Sequence, residues 1–570
     1  MKFRQLFRYV ALLLCLAGPA IAARAPAGKW WNNAVIYEIY PRSFQDSNGD
    51  GIGDLNGITQ RLDYLKSIGV DAIWIGPMYP SPQVDFGYDI SDYENVDPQY
   101  GTLADFDRLV AEAGKRHIRV LLDMVLNHTS DQHPWFKSAA ASRQDPKHDW
   151  YVWNDGRIDA AGKHQPPNNW VSLFGGSAWQ WVPAVNQFYY HEFYRAQPDL
   201  NWRNPQVEKA MFDALRFWLD RGVAGFRLDA ITTVFEDAQL RDEPVTGPGV
   251  NAQGDPLVSR IYTDNLPEVH DVIRRMRKMV DGYAGDRVLI GETYLPNTAE
   301  LDKWYGGTHH DELHLPMDML VGFTNKLDAV TLRNRLTEVQ TQVHGSQPML
   351  VFDNHDNIRS WERYGDGVHN EQIAKIIATV LLTSRSTALL YQGEEIGQVT
   401  TTPTRVEDVR DPIGITGWPK EKGRDGERTP MQWDASNPQA GFSTNPKTWL
   451  PVPPSYKTIN VQSEQADPQS ILSWHRQLTT LRRTNPALAN GTMQMLDVQN
   501  TKVLSYARVA KGGQTVLVAL NMSDTPQTVS LDTKGTKPLK TLMASPAGMT
   551  APKSAAAVTL PPFGAWVGAQ

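Results

Sequence analysis

From Trp30 onward, short apolar runs alternate with longer stretches in which apolar positions recur every three or four residues. The short runs predict strands at VIYEIY (35–40), VDAIWIG (70–76), IRVLLDMVL (118–126), VAGFRLDAI (223–231), RVLIGETY (287–294), ELHLPMDM (312–319), PMLVFDNHD (348–356) and TALLYQGEE (387–395). The longer stretches, at 102–116, 205–221, 264–283 and 371–382, predict helices between them. Eight strands alternating with helices around a parallel sheet predict an α/β fold, a (β/α)8 TIM barrel formed by 29–127 and 195–485.

Two segments break the pattern. Residues 128–194 are rich in Trp, Asn, Gly, Pro and His and too long for a simple connection, so they predict an inserted subdomain after the third strand. After the helical ILSWHRQLTTLRR (471–483), Thr, Val, Lys and Gly dominate, with alternating runs such as KVLSYARV and QTVLVALNM. These predict a C-terminal antiparallel β-sandwich domain over 486–570. No internal repeat or low-complexity tract is present.

Composition narrows the function. The 570 residues are 41% hydrophobic and 21% charged, enough for a large core in more than one domain. At the N-terminus Lys2, Arg4 and Arg8 precede an apolar run to Ala17 and a small-x-small site at Ala20-Ile21-Ala22. This reads as an export signal over 1–22 and predicts a periplasmic or extracellular protein. The run is too short for a comfortable membrane span, and Leu13 and Leu14 before Cys15 do not fit a lipoprotein signal. Cys15 is the only cysteine, so a processed chain would have no disulfide, thiolate metal site or cysteine nucleophile. Losing Lys2, Arg4 and Arg8 takes the formal charge from −7 to −10, unfavourable for nucleic acid or an anionic membrane.

The run GFRLDAI (225–231) places two charged residues among apolar ones. In a strand Arg227 and Asp229 share one face and Phe226 and Leu228 the other. Taken alone, this fits a buried structural ion pair as well as a functional one. Polar residues recur, however, at the downstream ends of other strands: Asp123, Asn127 and His128 in DMVLNH, Glu292 in GET, His355 and Asp356 in FDNHD. In a barrel those ends form the catalytic face. Several carboxylates with His and Arg, and no serine elbow, fit retaining glycoside hydrolysis, in which one carboxylate attacks the sugar and a protonated one serves the leaving oxygen. Arg227 would keep Asp229 ionised, while neighbouring carboxylates raise the acid's pKa.

The blocks DMVLNH, GFRLDAI, GET and FDNHD, in this order, resemble those of the α-amylase superfamily of glycoside hydrolases (glycoside hydrolase family 13). QPDLNW (197–202), YQGEEIG (391–397) and GRDGERTPMQWD (423–434) resemble its α-glucosidase and oligo-1,6-glucosidase branch. The resemblance implies Asp229 as nucleophile, Glu292 as acid/base and Asp356 as the carboxylate that grips ring hydroxyls. It implies His128, Arg227 and His355 as hydrogen-bond donors, and Tyr88 and Asp89 in FGYDISDY as residues that hold the non-reducing glucose. It pairs Asp89 with Arg424, although Arg428 fits the motif nearly as well.

The loop DSNGDGIGD presents oxygen ligands at Asp46, Asn48, Asp50 and Asp54, with the Ile52 carbonyl between, a set suited to a hard divalent cation. Gly57 stands where an EF-hand carries its bidentate Glu. The resemblance implies one structural Ca²⁺; a metal-free Asp/Gly turn is the alternative.

Together these readings predict an exported, exo-acting, retaining α-glucosidase that removes glucose from the non-reducing end of short α-glucosides such as maltose. The alternatives are an oligo-1,6-glucosidase, a glucosyltransferase or sucrose-acting enzyme on the same site, and, more distantly, a non-catalytic binding protein. Ala230 follows Asp229, where α-1,6-preferring members of the resembled family tend to carry Val, so the resemblance implies an α-1,4 preference.

Overall fold

In a computed structural model, which describes residues 28–531 and 539–570, all eight apolar runs form strands: β1 (Val35–Ile39), β2 (Ala72–Ile75), β3 (Arg119–Val125), β4 (Gly225–Asp229), β5 (Val288–Gly291), β6 (Leu315–Asp318), β7 (Met349–Val351) and β8 (Thr387–Tyr391). They pair in parallel, each with its sequence neighbour, and β8 closes the barrel on β1. The export signal expected over 1–22 lies outside the described residues.

Strand parity divides the core in two. Ile36, Trp74, Leu121, Ile290, Met317, Val351 and Leu389 form one cluster inside the barrel. Tyr37, Ile73, Leu122, Phe226, Leu228, Leu289, Leu350 and Leu390 pack outward into the larger cluster shared with the helices. Glu38, Asp123, Arg227 and Asp229 have the inward parity, so each points a charged group along the barrel axis. Gly225 starts β4 with φ +148°, and a Cβ there would lie 2.0 Å from the Val288 carbonyl oxygen. The close approach of β4 to β5 therefore requires glycine.

Helices at 103–115, 205–220, 268–281, 329–342 and 370–383 fall between the strands, and 471–484 follows β8. Their starts are written locally: Thr102 and Asp105 form a capping box, and Asn204 caps a helix that has Pro205 at its first position. The predicted strands overrun the observed downstream ends by up to five residues. Glu292, His355 and Asp356 consequently lie in loops, while Asp229 is the last residue of β4.

Within 128–194, Trp153–Asn154, Gln187–Tyr190 and Trp179–Val182 form a small antiparallel sheet over Trp170, Trp179, Phe188 and Tyr190. Its base is fastened to the end of β3, where Asn127 Nδ2 donates to Asp199 Oδ2 and Leu200 N–H donates to the Asn127 carbonyl. The C-terminal region has a five-stranded antiparallel sheet, with Val503–Val509, Thr515–Asn521 and Ala565–Ala569 at its centre. A two-stranded sheet, Gln527–Val529 with Val558–Leu560, packs with it around Trp566.

Candidate active site

One guanidinium holds three carboxylates at the downstream mouth of the barrel. Arg227 Nη1 donates to Asp123 Oδ1 at 2.9 Å and to Asp229 Oδ1 at 2.5 Å, and Nη2 lies 2.7 Å from Glu292 Oε1. Register explains the grouping: Arg227 sits beside Asp123 on β3 and Ile290 on β5, and Glu292 leaves β5 two residues later. Ala230 N–H donates to Glu292 Oε2 at 2.9 Å. Arg227 is 1% exposed, and one buried cation cannot balance three ionised carboxylates. Burial pushes Asp229 and Glu292 up to about 7 and Asp123 to about 6, against the pull of Arg227, so the expectation that Arg227 alone keeps Asp229 ionised is corrected: burial outweighs it. The group therefore retains a proton near neutrality, as a site needing one acid and one base requires.

Asp356 has the opposite environment. Its Oδ1 accepts from Arg424 Nη1 at 3.0 Å and Arg428 Nη2 at 2.6 Å, and its Oδ2 lies 3.3 Å from His355 Nε2. Burial pushes this carboxyl up, but the guanidinium groups of Arg424, Arg428 and Arg227 outweigh it and hold it well below the usual range. Both arginines that the motif leaves open thus meet the same carboxylate.

The partner expected for Arg424 is corrected. Asp89 is fully buried and accepts from Ser81 Oγ and from the backbone N–H groups of Val84 and Asp85, so it holds its own loop together. Arg424 instead donates through Nη2 to Asp85 Oδ1 at 2.9 Å and through Nε to Asp411 Oδ2 at 2.7 Å. A turn closed by Tyr88 N–H on the Asp85 carbonyl, with positive φ at Phe86 and Gly87, sets Asp85 alongside Tyr88. The legible signal is the pair of aspartates flanking FGY, and the expectation falls on the wrong member of it. Asp411, which caps the helix at 412–417 and holds Arg424, is a member of this cluster that the motifs do not point to.

Tyr88 OH lies 2.7 Å from His355 Nε2 and donates to Asp123 Oδ2 at 3.1 Å, joining the two carboxylate groups. The His355 ring lies near-parallel to those of Tyr40 and Tyr88, each ring centroid 5.4 Å away. His128 is buried behind Tyr88, its Nε2 3.1 Å from the Tyr88 carbonyl. Burial pushes both imidazoles down to about 3, so both are neutral donors. Phe174, from the inserted subdomain, lies 5.1 Å from the Arg424 guanidinium, and Tyr194 OH donates to Asp411 Oδ1. The subdomain therefore packs against Arg424 and Asp411 beside Asp356.

In the loop at 46–54 the oxygen-bearing side chains serve the backbone. Asp46 accepts from Asn48, Gly49 and Gly51 N–H groups and from Ser443 Oγ; Asp54 accepts from Ser47 and caps the helix at Gly57 N–H; Asp50 accepts from Ile52 N–H. Among the described residues, no three His, Cys, Asp or Glu side chains are grouped as metal ligands. The donor chemistry of the loop, three carboxylates with the Asn48 amide and the Ile52 carbonyl, suits a hard cation.

The alpha-amylase catalytic-domain family matches residues 38–491, and the C-terminal domain family of maltogenic amylase matches 493–567. The chain is 43% identical over 529 residues to a probable alpha-glucosidase of Rhizobium meliloti (strain 1021), covering 90% of this chain and 93% of that protein. It is 38% identical over 532 residues to an oligo-1,6-glucosidase of Parageobacillus thermoglucosidasius, covering 87% and 91%. Among solved structures, the alpha-glucosyl transfer enzyme XgtA superposes with a TM-score of 0.86 at 40% identity, covering 96% of this chain and all of that one. The trehalulose synthase MutB of Pseudomonas mesoacidophila MX-45 gives 0.85 at 36%, covering 95% and 100%.

Proposed function

The chain belongs to the family of the alpha-amylase catalytic domain and is a glycoside hydrolase, and on that premise we propose that it is an exo-acting, retaining α-glucosidase for short α-1,4-linked glucosides. The observation that carries the exo reading is the knot of Arg424 with Asp85, Asp411 and Asp356, which fills one end of the pocket beside Asp356. A glucose whose hydroxyls face that knot has no room for a further sugar behind it, so the non-reducing end enters first.

In this reading Asp229 attacks the anomeric carbon, and the C–O bond to the leaving sugar breaks as Glu292 gives that oxygen its proton. A water, deprotonated by Glu292, then attacks the glucosyl–Asp229 ester, and glucose leaves with its configuration kept. Support comes from the two Nη atoms of Arg227, which hold Asp229 and Glu292 within the span of one guanidinium. Asp356, anionic throughout, faces the positive charge that develops on the ring. Proteins named alpha-glucosidase and maltase among the relatives support the substrate class.

A second reading has a specific basis. XgtA and MutB are named for glucosyl transfer and trehalulose synthesis, reactions in which a sugar rather than water can capture the glycosyl intermediate. Product analysis over time on maltose, isomaltose, sucrose and trehalose separates the two. Glucose accumulating as the main product from maltose supports hydrolysis; early oligosaccharides or sucrose isomers support transfer.

Export is proposed from the basic and apolar pattern of residues 1–22; among the described residues no helix is long and apolar enough to cross a membrane. Ca²⁺ is likewise proposed at Asp46, Asn48, Asp50, Ile52 and Asp54, where the ion would reinforce the turn that starts the helix at 55–60. Melting of calcium-loaded protein with and without chelator tests it: a fall in Tm supports the ion, and identical Tm values after verified calcium removal exclude it.

A further inference from the structure

Among the buried carboxyls that the mechanism leaves unused, one lies directly against a residue of the site. Glu38 on β1 is 1% exposed and points into the barrel beneath the site, between Tyr391 on β8 and Trp74 on β2 in the sheet register. Its Oε1 lies 2.5 Å from His355 Nδ1, and its Oε2 is buried without a hydrogen-bond partner. An ionised carboxylate there would leave one anionic oxygen bare in the interior; a carboxylic acid leaves only a neutral one. The charged neighbours agree. Burial and the anions Asp356 and Asp123 push the Glu38 carboxyl well up, and only Arg227 opposes them strongly.

His355 can answer to this carboxyl in only one respect. The rings of Tyr40 and Tyr88 lie near-parallel to the imidazole, at interplanar angles of 18° and 12°, and so fix its plane. The position of its proton is left to the Nδ1 partner. If Nδ1 accepts from Glu38, the single imidazole proton is on Nε2. That nitrogen lies 2.7 Å from Tyr88 OH and 3.3 Å from Asp356 Oδ2. Tyr88 OH can then accept from Nε2 while it donates to Asp123.

We propose that Glu38 is a positioning residue: its carboxyl O–H donates to His355 Nδ1 and so keeps the Nε2–H turned towards Tyr88 and Asp356. It acts through His355 and touches no substrate. A chain of hydrogen bonds then runs in one direction, Glu38 to His355 to Tyr88 to Asp123, and ends on the carboxylate that shares Arg227 with Asp229. The kinetic part of the inference rests on the proposed glucosidase reading; the protonation part does not.

Two measurements test it. Nitrogen-15 NMR of histidine-labelled wild type, with the His355 signal assigned by its loss in His355→Asn, is expected to show Nε2 protonated and Nδ1 bare; an unprotonated Nε2 or a protonated Nδ1 overturns the proposal. This result stands even if the wild type hydrolyses no α-glucoside, which would sink the functional reading alone. Kinetics on p-nitrophenyl α-glucoside then compare Glu38→Met and Glu38→Gln, with Tm confirming that each is folded. Orienting partners of functional imidazoles typically matter by about 10- to 100-fold, so Met should lower kcat/KM by that factor. Gln, whose amide N–H can donate to Nδ1, should restore it to within about fivefold. Equal losses in both folded variants, or wild-type kinetics in Glu38→Met, contradict the proposal.

Discussion

Arg424 Nη2 donates to Asp85 Oδ1 across 2.9 Å, tying the loop after β2 to the long segment after β8 beside Asp356. Asp85→Ala leaves a buried guanidinium short of one partner and, in the proposed complex, loosens the knot at the non-reducing glucose. Breaking such a charged pair typically costs about 1–3 kcal/mol, or roughly 5- to 150-fold. The expected outcome is a fall in kcat/KM on maltose of that size, mainly through KM. Asp89→Ala, by contrast, should lower Tm by several degrees, because Asp89 organises three hydrogen-bond donors of its own loop. Steady-state kinetics beside thermal melts check both; a larger catalytic loss from Asp89→Ala in folded protein would reverse the assignment.

That exchange of roles shows where the sequence stops being informative. The eight strands are legible because short apolar runs, spaced with room for a helix between each pair, fit buried parallel strands and little else. Arg227 and Asp229 are legible because strand parity alone sets them on one face. Asp85 and Asp89 occupy a turn, where two successive positive φ values decide which side chain faces the pocket. No periodicity encodes that choice. Asp411 and Glu38 are silent for a different reason: each acquires meaning only from a partner distant in the fold's wiring, Arg424 for one and His355 for the other.

Asp229 sets activity against stability, and the sign follows from its environment. Burial raises its folded-state pKa from 3.8 to about 7. The protonated group therefore favours folding below about pH 4, and that contribution is lost as pH rises through 7. Asp229→Asn cannot ionise and escapes the loss. Its Tm should match or exceed that of the wild type, and the difference should widen by a few degrees between pH 5 and pH 8. Turnover should fall by roughly 10³-fold or more, because no glycosyl ester can form. A Tm difference that narrows with rising pH would show that Asp229 is stabilised in its ionised form.

Ala230 falls inside an apolar run that predicts strand to residue 231, but β4 ends at Asp229 and Ala230 adopts φ +43° in the left-handed region. Its N–H holds Glu292 Oε2. A β-branched side chain is poorly tolerated at positive φ, so Ala230→Val should carry a backbone cost of about 1–3 kcal/mol, seen as a lower Tm. The wild type should prefer maltose to isomaltose. The valine should move the ratio of their kcat/KM values towards isomaltose by about 10-fold, within the range of one or two methyl groups beside a substrate. An unchanged ratio removes Ala230 as the determinant of linkage.

The central claim is a retaining displacement at Asp229 on the terminal glucose, and the anomer first released reports on it directly. Proton NMR during the first minutes of maltotriose hydrolysis, before mutarotation mixes the forms, should show α-glucose rising together with maltose. Glucose appearing first as the β-anomer would mean that water attacks in a single inverting step and that Asp229 is not the nucleophile.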